Sequence, residues 1–338
     1  MPLPALPTEA SSGVVVDIGG TKILVAIVRH GIIARKRSLR ISQFAGPADM
    51  MDAIGATARQ LCGAPDMAPD LSAESVVVAV PGRLDRESGT VLRAANLPLV
   101  DFPLAAELSS RLDGAVVRIE HDAVCGLLGE TTAGAARGCS NVIYLTVSTG
   151  ISVGILVDGA LLKGAHGAAG ELGHTPVEWP GIPCTCGSSG CLEAYASGWA
   201  LAELGRQAAA SGTSSALAAA LAAGGAVTAR DVLSAARRGD PASAAIAGHA
   251  IELLTRAIEL LFVTLDPELV VLGGGVMSNA YFADRLLQGR LRDGQYGRTC
   301  AAQLGARSVL HGGMLFLGHR GRGQPSVSNG STFEAVTS

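Results

Sequence analysis

The sequence lacks a strong excess of either charge. Over 338 residues the formal net charge is -3. No block of Lys and Arg stands out, which argues against nucleic acid as a partner. Aromatic residues are scarce, at 4%, so surfaces for stacking bases are not expected either. No apolar run is free of charge over the ~20 residues a bilayer core needs. The most apolar stretch, 251–276, carries Glu252, Arg256, Glu259, Asp266 and Glu268. The opening "MPLPALPTEASSG" has no basic region and no long apolar core, so no signal peptide is expected. Together these absences predict a cytoplasmic protein without a membrane partner. Seven cysteines make an odd number, and Cys62, Cys125, Cys139 and Cys300 are scattered. That is not the framework of a disulfide-stapled secreted domain.

What is present is a large apolar content, 48% of residues, enough for two domain-sized cores. β-Branched runs such as "SVVVAVPG", "AVVRIEHD" and "ELVVLGGG" alternate with helical segments. These include "FPLAAELSSRL", "AVCGLLGETTAG", "LEAYASGWALAELGRQAAA", "SSALAAALAAGG" and "ASAAIAGHAIELLTRAIELLFVTL". Alternation of this kind predicts an α/β fold with central sheets. Two segments resemble each other: "TKILVAIVRHGII", 21–33, and "TGISVGILVDGAL", 149–161. They share Thr21/Thr149, Ile23/Ile151, Val25/Val153, Ile27/Ile155 and Gly31/Gly159 without a gap. Each reads as strand, glycine turn, strand, so a β-hairpin unit is expected twice.

Three glycine-rich turns follow strands. "DIGGTK" offers Asp17, Gly19, Gly20, Thr21 and Lys22; "VSTG" offers Thr149 and Gly150; "LGGG" offers Gly273, Gly274 and Gly275. None has Walker A or G-x-G-x-x-G spacing. Glycines let backbone N–H groups approach an anion, and Asp17 could hold Mg²⁺, a cation that prefers oxygen ligands. Two such turns facing each other would clamp a polyphosphate, as phosphoryl transfer requires. In "PCTCGSSGCLEAY" three cysteines fall within eight residues: Cys184, Cys186 and Cys191. A disulfide, a redox pair and a metal site compete there. The C-x-C spacing weakens the redox reading. His174, upstream in "GELGHTPV", would complete four ligands for zinc. In "RIEHDAVCGLL", Asp122 ends an apolar strand and opens a helix. It reads equally as a general base or as an ordinary helix N-cap.

"DIGGTK", "VPGRLD", "VSTG", "GAAGELGH", "CTCGSSGCLE" and "VVLGGG" occur in the order expected of the ROK family of sugar kinases and repressors. The resemblance covers about 13–318. It implies two duplicated ribonuclease-H/actin-like α/β domains of the hexokinase type around a cleft. The first would span 13–121 plus about 309–320, the second 122–308, with 321–338 a disordered tail. It also implies an ATP-dependent kinase acting on the 6-hydroxyl of a hexose, with Mg²⁺ and a homodimeric assembly. Asp122 would be the base. Gly82, Asn96, His121, Asp122, Glu171, His174 and Glu193 would face the sugar. A structural zinc would sit on His174, Cys184, Cys186 and Cys191. Repressors of the family carry a DNA-binding domain before the first loop; with that loop at Asp17, none is expected here. A non-catalytic sugar-sensing regulator and a polyphosphate-dependent glucokinase are the alternatives. The family usually places asparagine before the catalytic aspartate, where this chain has His121. That difference points to an altered contact at C3–C4, met either by glucose in a slightly shifted pose or by a 3-amino-3-deoxyglucose (kanosamine) donating its amine to the ring nitrogen.

Overall fold

The computed structural model describes residues 12–63, 75–222, 225–288 and 298–317; the expected tail at 321–338 lies outside them. The chain opens with β1 (Gly13–Ile18), β2 (Lys22–Arg29) and β3 (Ile32–Arg40), followed by α1 (Pro47–Cys62) and β4 (Ser75–Val80). Next come three short strands, β5 (Arg83–Asp85), β6 (Thr90–Ala94) and β7 (Leu99–Phe102). Then α2 (Leu104–Arg111), β8 (Val116–His121) and α3 (Asp122–Ala133) complete the first half. The second half begins with β9 (Val142–Val147), β10 (Ile151–Val157) and β11 (Ala160–Leu161). After a long loop come α4 (Glu193–Ala196), α5 (Gly198–Ala210), α6 (Ser215–Ala222), α7 (Ala229–Arg237) and α8 (Pro241–Leu265). β12 (Leu269–Gly273), α9 (Ala280–Gln288), β13 (Arg298–Ala301) and α10 (Ser308–Met314) follow.

Two five-stranded sheets carry the fold, in the orders β3-β2-β1-β4-β8 and β11-β10-β9-β12-β13. In each, the first strand pairs antiparallel with the second and parallel with the fourth. The expected repeat is therefore a repeat of whole sheets, not only of hairpins. Both hairpins turn on the same two-residue conformation. His30 and Gly31 have φ 51° and 71°; Asp158 and Gly159 have φ 47° and 71°. This left-handed pair matches the right-handed twist of the strands it joins. The inner strands β9 and β12 are buried along their whole length, as expected for strands covered on both faces.

Each sheet has its own core. One joins Val14, Val16, Val76 and Val78 to Met50 and Leu108. The other joins Ile143, Leu145 and Val270 to Leu254 and Phe282 of the helical side. A third cluster lies between the sheets, where α3 and α10 meet Val15, Val77, Tyr144 and Val271. The two helices approach closely: a Cβ at Gly312 would overlap the carbonyl of Cys125. Glu130, fully buried in α3, accepts from the N–H groups of Ala135, Gln303 and Leu304 and from the Ser308 hydroxyl. One carboxylate thus joins the end of α3 to the segment that enters α10.

One helical reading needs correction. "LEAYASGWALAELGRQAAA" is not continuous but breaks at Ser197. The Ser197 side chain caps α5 by accepting from Ala200 N–H, and Gly198 N–H donates to Ser148 O at 2.7 Å. The break anchors α5 on the second glycine turn. No described helix is long and apolar enough to cross a membrane.

Candidate active site

A cavity of about 300 Å³ opens where the ends of the two sheets meet. The two hairpin repeats contribute Gly19 and Gly20 from one side, Thr149 and Gly150 from the other. They touch: a Cβ on Gly20 would lie 2.7 Å from Thr149 Cγ2. The two turns therefore face each other across the cavity, and the absent side chain at Gly20 allows that close approach. Gly82, Asn96, His121, Asp122, Glu171, His174 and Glu193 line the same cavity.

Six predicted phosphate-loop positions lie outside its lining. Asp17 precedes the last pair of the β1–β2 ladder. Burial, then the neighbouring Asp122 carboxylate, push its carboxyl up to about 7, against the pull of Lys22. A cation beside it would restore the charged form. Thr21 and Lys22 do not line the cavity; they lead into β2. Gly273–Gly275 do not line it either, but they abut the second turn, with Val276 N–H donating to Val147 O at 3.0 Å.

Asp122 is the first residue of α3, and the N-cap is His121. The reading of Asp122 as the cap is thus displaced by one residue. Its Oδ1 does accept from Ala123 N–H at 2.7 Å. Burial raises its carboxyl above the usual range, opposed by the His121 ring. His121 Nδ1 faces the same Ala123 N–H at 3.2 Å, and Nε2 lies 3.7 Å from Glu171 Oε1. Burial disfavours the imidazolium, yet Glu171, Asp122 and Glu120 together leave its pKa raised.

His121 Nδ1 also lies 3.1 Å from Asp122 Oδ1, so the ring stands between the start of α3 and the Glu171 carboxylate. That carboxylate lies between two rings, with His174 Nε2 3.6 Å from Oε2. Burial opposes its charge, but His121 and then His174 hold its pKa below the usual range.

Glu193 is 3% exposed. It accepts from Ile151 N–H at 2.8 Å and from Asn96 Nδ2 at 3.3 Å. The carboxylate therefore ties the second turn to the β6–β7 connection as well as lining the cavity.

His174, Cys184, Cys186 and Cys191 bring one ligand atom each to within 4.8 Å of one another. The Cys186 and Cys191 Sγ atoms are 3.7 Å apart, and Cys184 Sγ lies 3.8 Å from His174 Nδ1. A disulfide would need ~2.05 Å, whereas a tetrahedron with Zn–S bonds of ~2.3 Å has edges of ~3.8 Å. The four fit such an ion. His174 would bind it through Nδ1 and turn Nε2 towards Glu171, an arrangement that fixes a ring's orientation.

Several residues of the site were not singled out from the sequence. Arg83, Arg93, Thr146, Ser148 and Ser152 line the cavity. Thr146 could have been found through the repeat. It pairs with Ser152 one step before the end of its ladder, as Asp17 pairs with Leu24 in the other half.

Residues 13–317 match the ROK family. The chain belongs to the ROK family. It is 34% identical to a glucokinase of Thermotoga maritima over 280 residues, 82% of this chain and 85% of that one. A glucokinase of Halalkalibacterium halodurans is also 34% identical, over 77% of this chain and 79% of its own. Among solved structures, a ROK glucokinase of Streptomyces griseus in complex with glucose and AMPPNP superposes with a TM-score of 0.74 at 31% identity. The match covers 90% of this chain and 98% of that one. The architecture is thus the actin-like, hexokinase-type fold of ROK sugar kinases, with the cavity between its two sheets.

Proposed function

We propose that this ROK protein transfers the γ-phosphoryl group of ATP to the 6-hydroxyl of glucose or an amino-modified glucose, with Asp122 as general base. The chain is an ATP-dependent hexose kinase; the sugar and the residue roles are the proposal. The observation that carries it is the convergence of Asp122 with both glycine turns and with Glu171 and His174 in one cavity. Catalysis of this class is mostly positioning and charge stabilisation, and the cavity supplies both. The raised pKa of Asp122 suits a group that must accept a proton from an alcohol. Mg²⁺ accompanies ATP; Asp17 would hold it, and the ion would neutralise phosphate charge. Zinc on His174, Cys184, Cys186 and Cys191 would be structural, locking the loop that presents Glu171 and His174. We also assign the two sheets to two domains, divided between His121 and Asp122, with α10 returning to the first.

An aminosugar remains part of the proposal, with Glu171, beside the His121 ring, as an acceptor for the amine. A site built around a charged hydrogen bond discriminates strongly against an analogue that leaves it unpaired. ADP release across glucose, glucosamine, mannosamine and 3-amino-3-deoxyglucose tests this. Preferred turnover of the 3-amino sugar, lost in Glu171→Gln, supports the aminosugar reading. A wide preference for glucose in the wild type and in Glu171→Gln alike rejects it. No ATP consumption with any sugar, despite sugar binding, rejects the kinase.

A further inference from the structure

Glu120 is the residue before His121, and it is 2% exposed. It takes no part in the chemistry proposed above, yet it holds two cations. Arg86 Nε lies 2.5 Å from Oε1 and Lys163 Nζ 3.4 Å from Oε2. Oε1 also accepts from the backbone N–H of His121 at 2.9 Å. A carboxylate buried this far is retained only when it is paired and hydrogen-bonded. Here its partners come from three separate places in the chain.

Arg86 follows β5, in the same half of the molecule as Glu120. Its guanidinium also meets the loop of the other half: a Cβ on Gly167 would lie 3.1 Å from Nη1. Lys163 stands near the start of that loop, two residues after β11 ends at Leu161. Ala169 N–H donates to Lys163 O at 3.2 Å, folding 163–169 into a compact turn, and Gly170 O receives Val153 N–H at 2.8 Å. The next residue is Glu171. One carboxylate therefore grips the peptide that leads into Asp122 and, through two cations, the loop that leads into Glu171.

From this juxtaposition we infer that Arg86, Glu120 and Lys163 form a positioning triad that sets the distance between the base and the sugar-binding loop. The inference rests on the proposed roles of Asp122 and Glu171. The triad touches neither sugar nor phosphate. It acts on the register between two groups that must address one substrate, where a displacement of ~1 Å can cost ~10²-fold in rate. Lys163 serves the loop alone, so its loss falls on sugar binding. Glu120 serves both sides, so its loss falls on binding and chemistry together.

The test uses glucose and Mg·ATP with the full chain, and thermal unfolding is recorded for every variant. Lys163→Met should raise the glucose KM about 5–10-fold with kcat within about twofold. Glu120→Gln keeps the shape and the His121 contact but drops the charge. It should lower kcat ~10-fold or more and raise KM as well. Arg86→Met should resemble Glu120→Gln, and Arg86→Lys should restore part of the loss. The Arg86→Met, Glu120→Gln double variant should be little worse than Glu120→Gln, since groups acting as a unit are not additive. Wild-type kcat and KM in Lys163→Met and Glu120→Gln, with only a lower melting temperature, would overturn the triad as a positioning device. So would additive losses in the double variant. Asp122→Asn, measured alongside, separates the two claims. Its inactivity beside unaffected triad variants removes the triad alone; full activity in Asp122→Asn removes the catalytic reading on which the triad rests.

Discussion

The two sheets were built on one plan and used differently. Each begins with a hairpin turned by the same pair of left-handed residues, and each continues with parallel strands in the same order. The difference lies at corresponding points of the two. In the first sheet the third strand, β3, runs nine residues and carries Arg35, Lys36, Arg37 and Arg40 along an exposed edge. A long charged edge resists pairing with another molecule. In the second, β11 stops after two residues. The chain freed there becomes the loop that brings Lys163, Glu171, His174 and the cysteines to the cleft. The last strands differ as well: β8 leads to Asp122, while its counterpart β13 ends at Ala301. A duplicated frame thus supplies two facing glycine turns, and the residues proposed for the chemistry come from where the symmetry fails.

The sharpest way to break this comparison is at the strand ends. Asp122→Asn should lower kcat by ~10²–10⁴, the range for losing a general base, with the glucose KM little changed. Steady-state kinetics at saturating Mg·ATP reads it; a wild-type rate would return Asp122 to a helix-start role. Next in size is the matched pair Asp17 and Thr146. Asp17→Asn should cost ~10²-fold in kcat and raise the Mg²⁺ requirement, as expected where an ion neutralises the transferring group. Thr146→Val should cost ~10-fold or less. Equal losses would mean that the two repeats handle the metal alike.

Asp17 also gives the pH dependence a sign. Its carboxyl sits at about 7, above the ~3.9 of an unfolded chain. The fold therefore favours the protonated form. Stability from this group is complete below pH ~4 and declines as pH rises to about 7. Activity at limiting Mg²⁺ should move the opposite way, rising as pH passes up through about 7. Unfolding and rate profiles of the wild type and Asp17→Asn measure both; a variant with the wild-type profile would assign the titration elsewhere.

The divergent loop comes third. Elemental analysis should find about one zinc per chain, and Cys186→Ala should lose the metal with a ~10-fold or larger rise in glucose KM. A fully active, metal-free wild type would remove the zinc. The smallest effect should be shared by both halves. Gly31→Ala and Gly159→Ala each place a Cβ in the left-handed region, at about 1–2 kcal/mol. Thermal unfolding should show similar losses with kcat unchanged; a large disparity would show that one hairpin is held by more than its turn.

Much of this was legible beforehand, for identifiable reasons. The hairpins are local, and their glycines sit where φ requires them, so thirteen residues of sequence carried the repeat. The three cysteines were legible because they lie within eight residues of one another, and with His174 they do gather in one place. What the sequence hid was long-range. Nothing adjacent to Glu120 says that Arg86 and Lys163 will find it, and the break at Ser197 depends on Ser148, a residue distant in sequence. The surroundings of His121 are long-range too: Nδ1 faces Ala123 N–H at 3.2 Å, and Nε2 lies 3.7 Å from Glu171, fifty residues later.

The contact between α3 and α10 has a consequence for the order in which the enzyme can come into being. Glu130 finds the Ser308 hydroxyl across 178 residues, and Gly312 lets α10 close directly on the backbone of Cys125. Synthesis delivers both glycine turns and Asp122 early and α10 late. A chain halted before Ser308 would hold every residue proposed for catalysis and still lack the wall against which the Asp122 helix is seated. Contacts this distant form slowly, and domains generally fold as units during synthesis. Nascent chains should therefore handle neither ATP nor sugar until α10 has emerged.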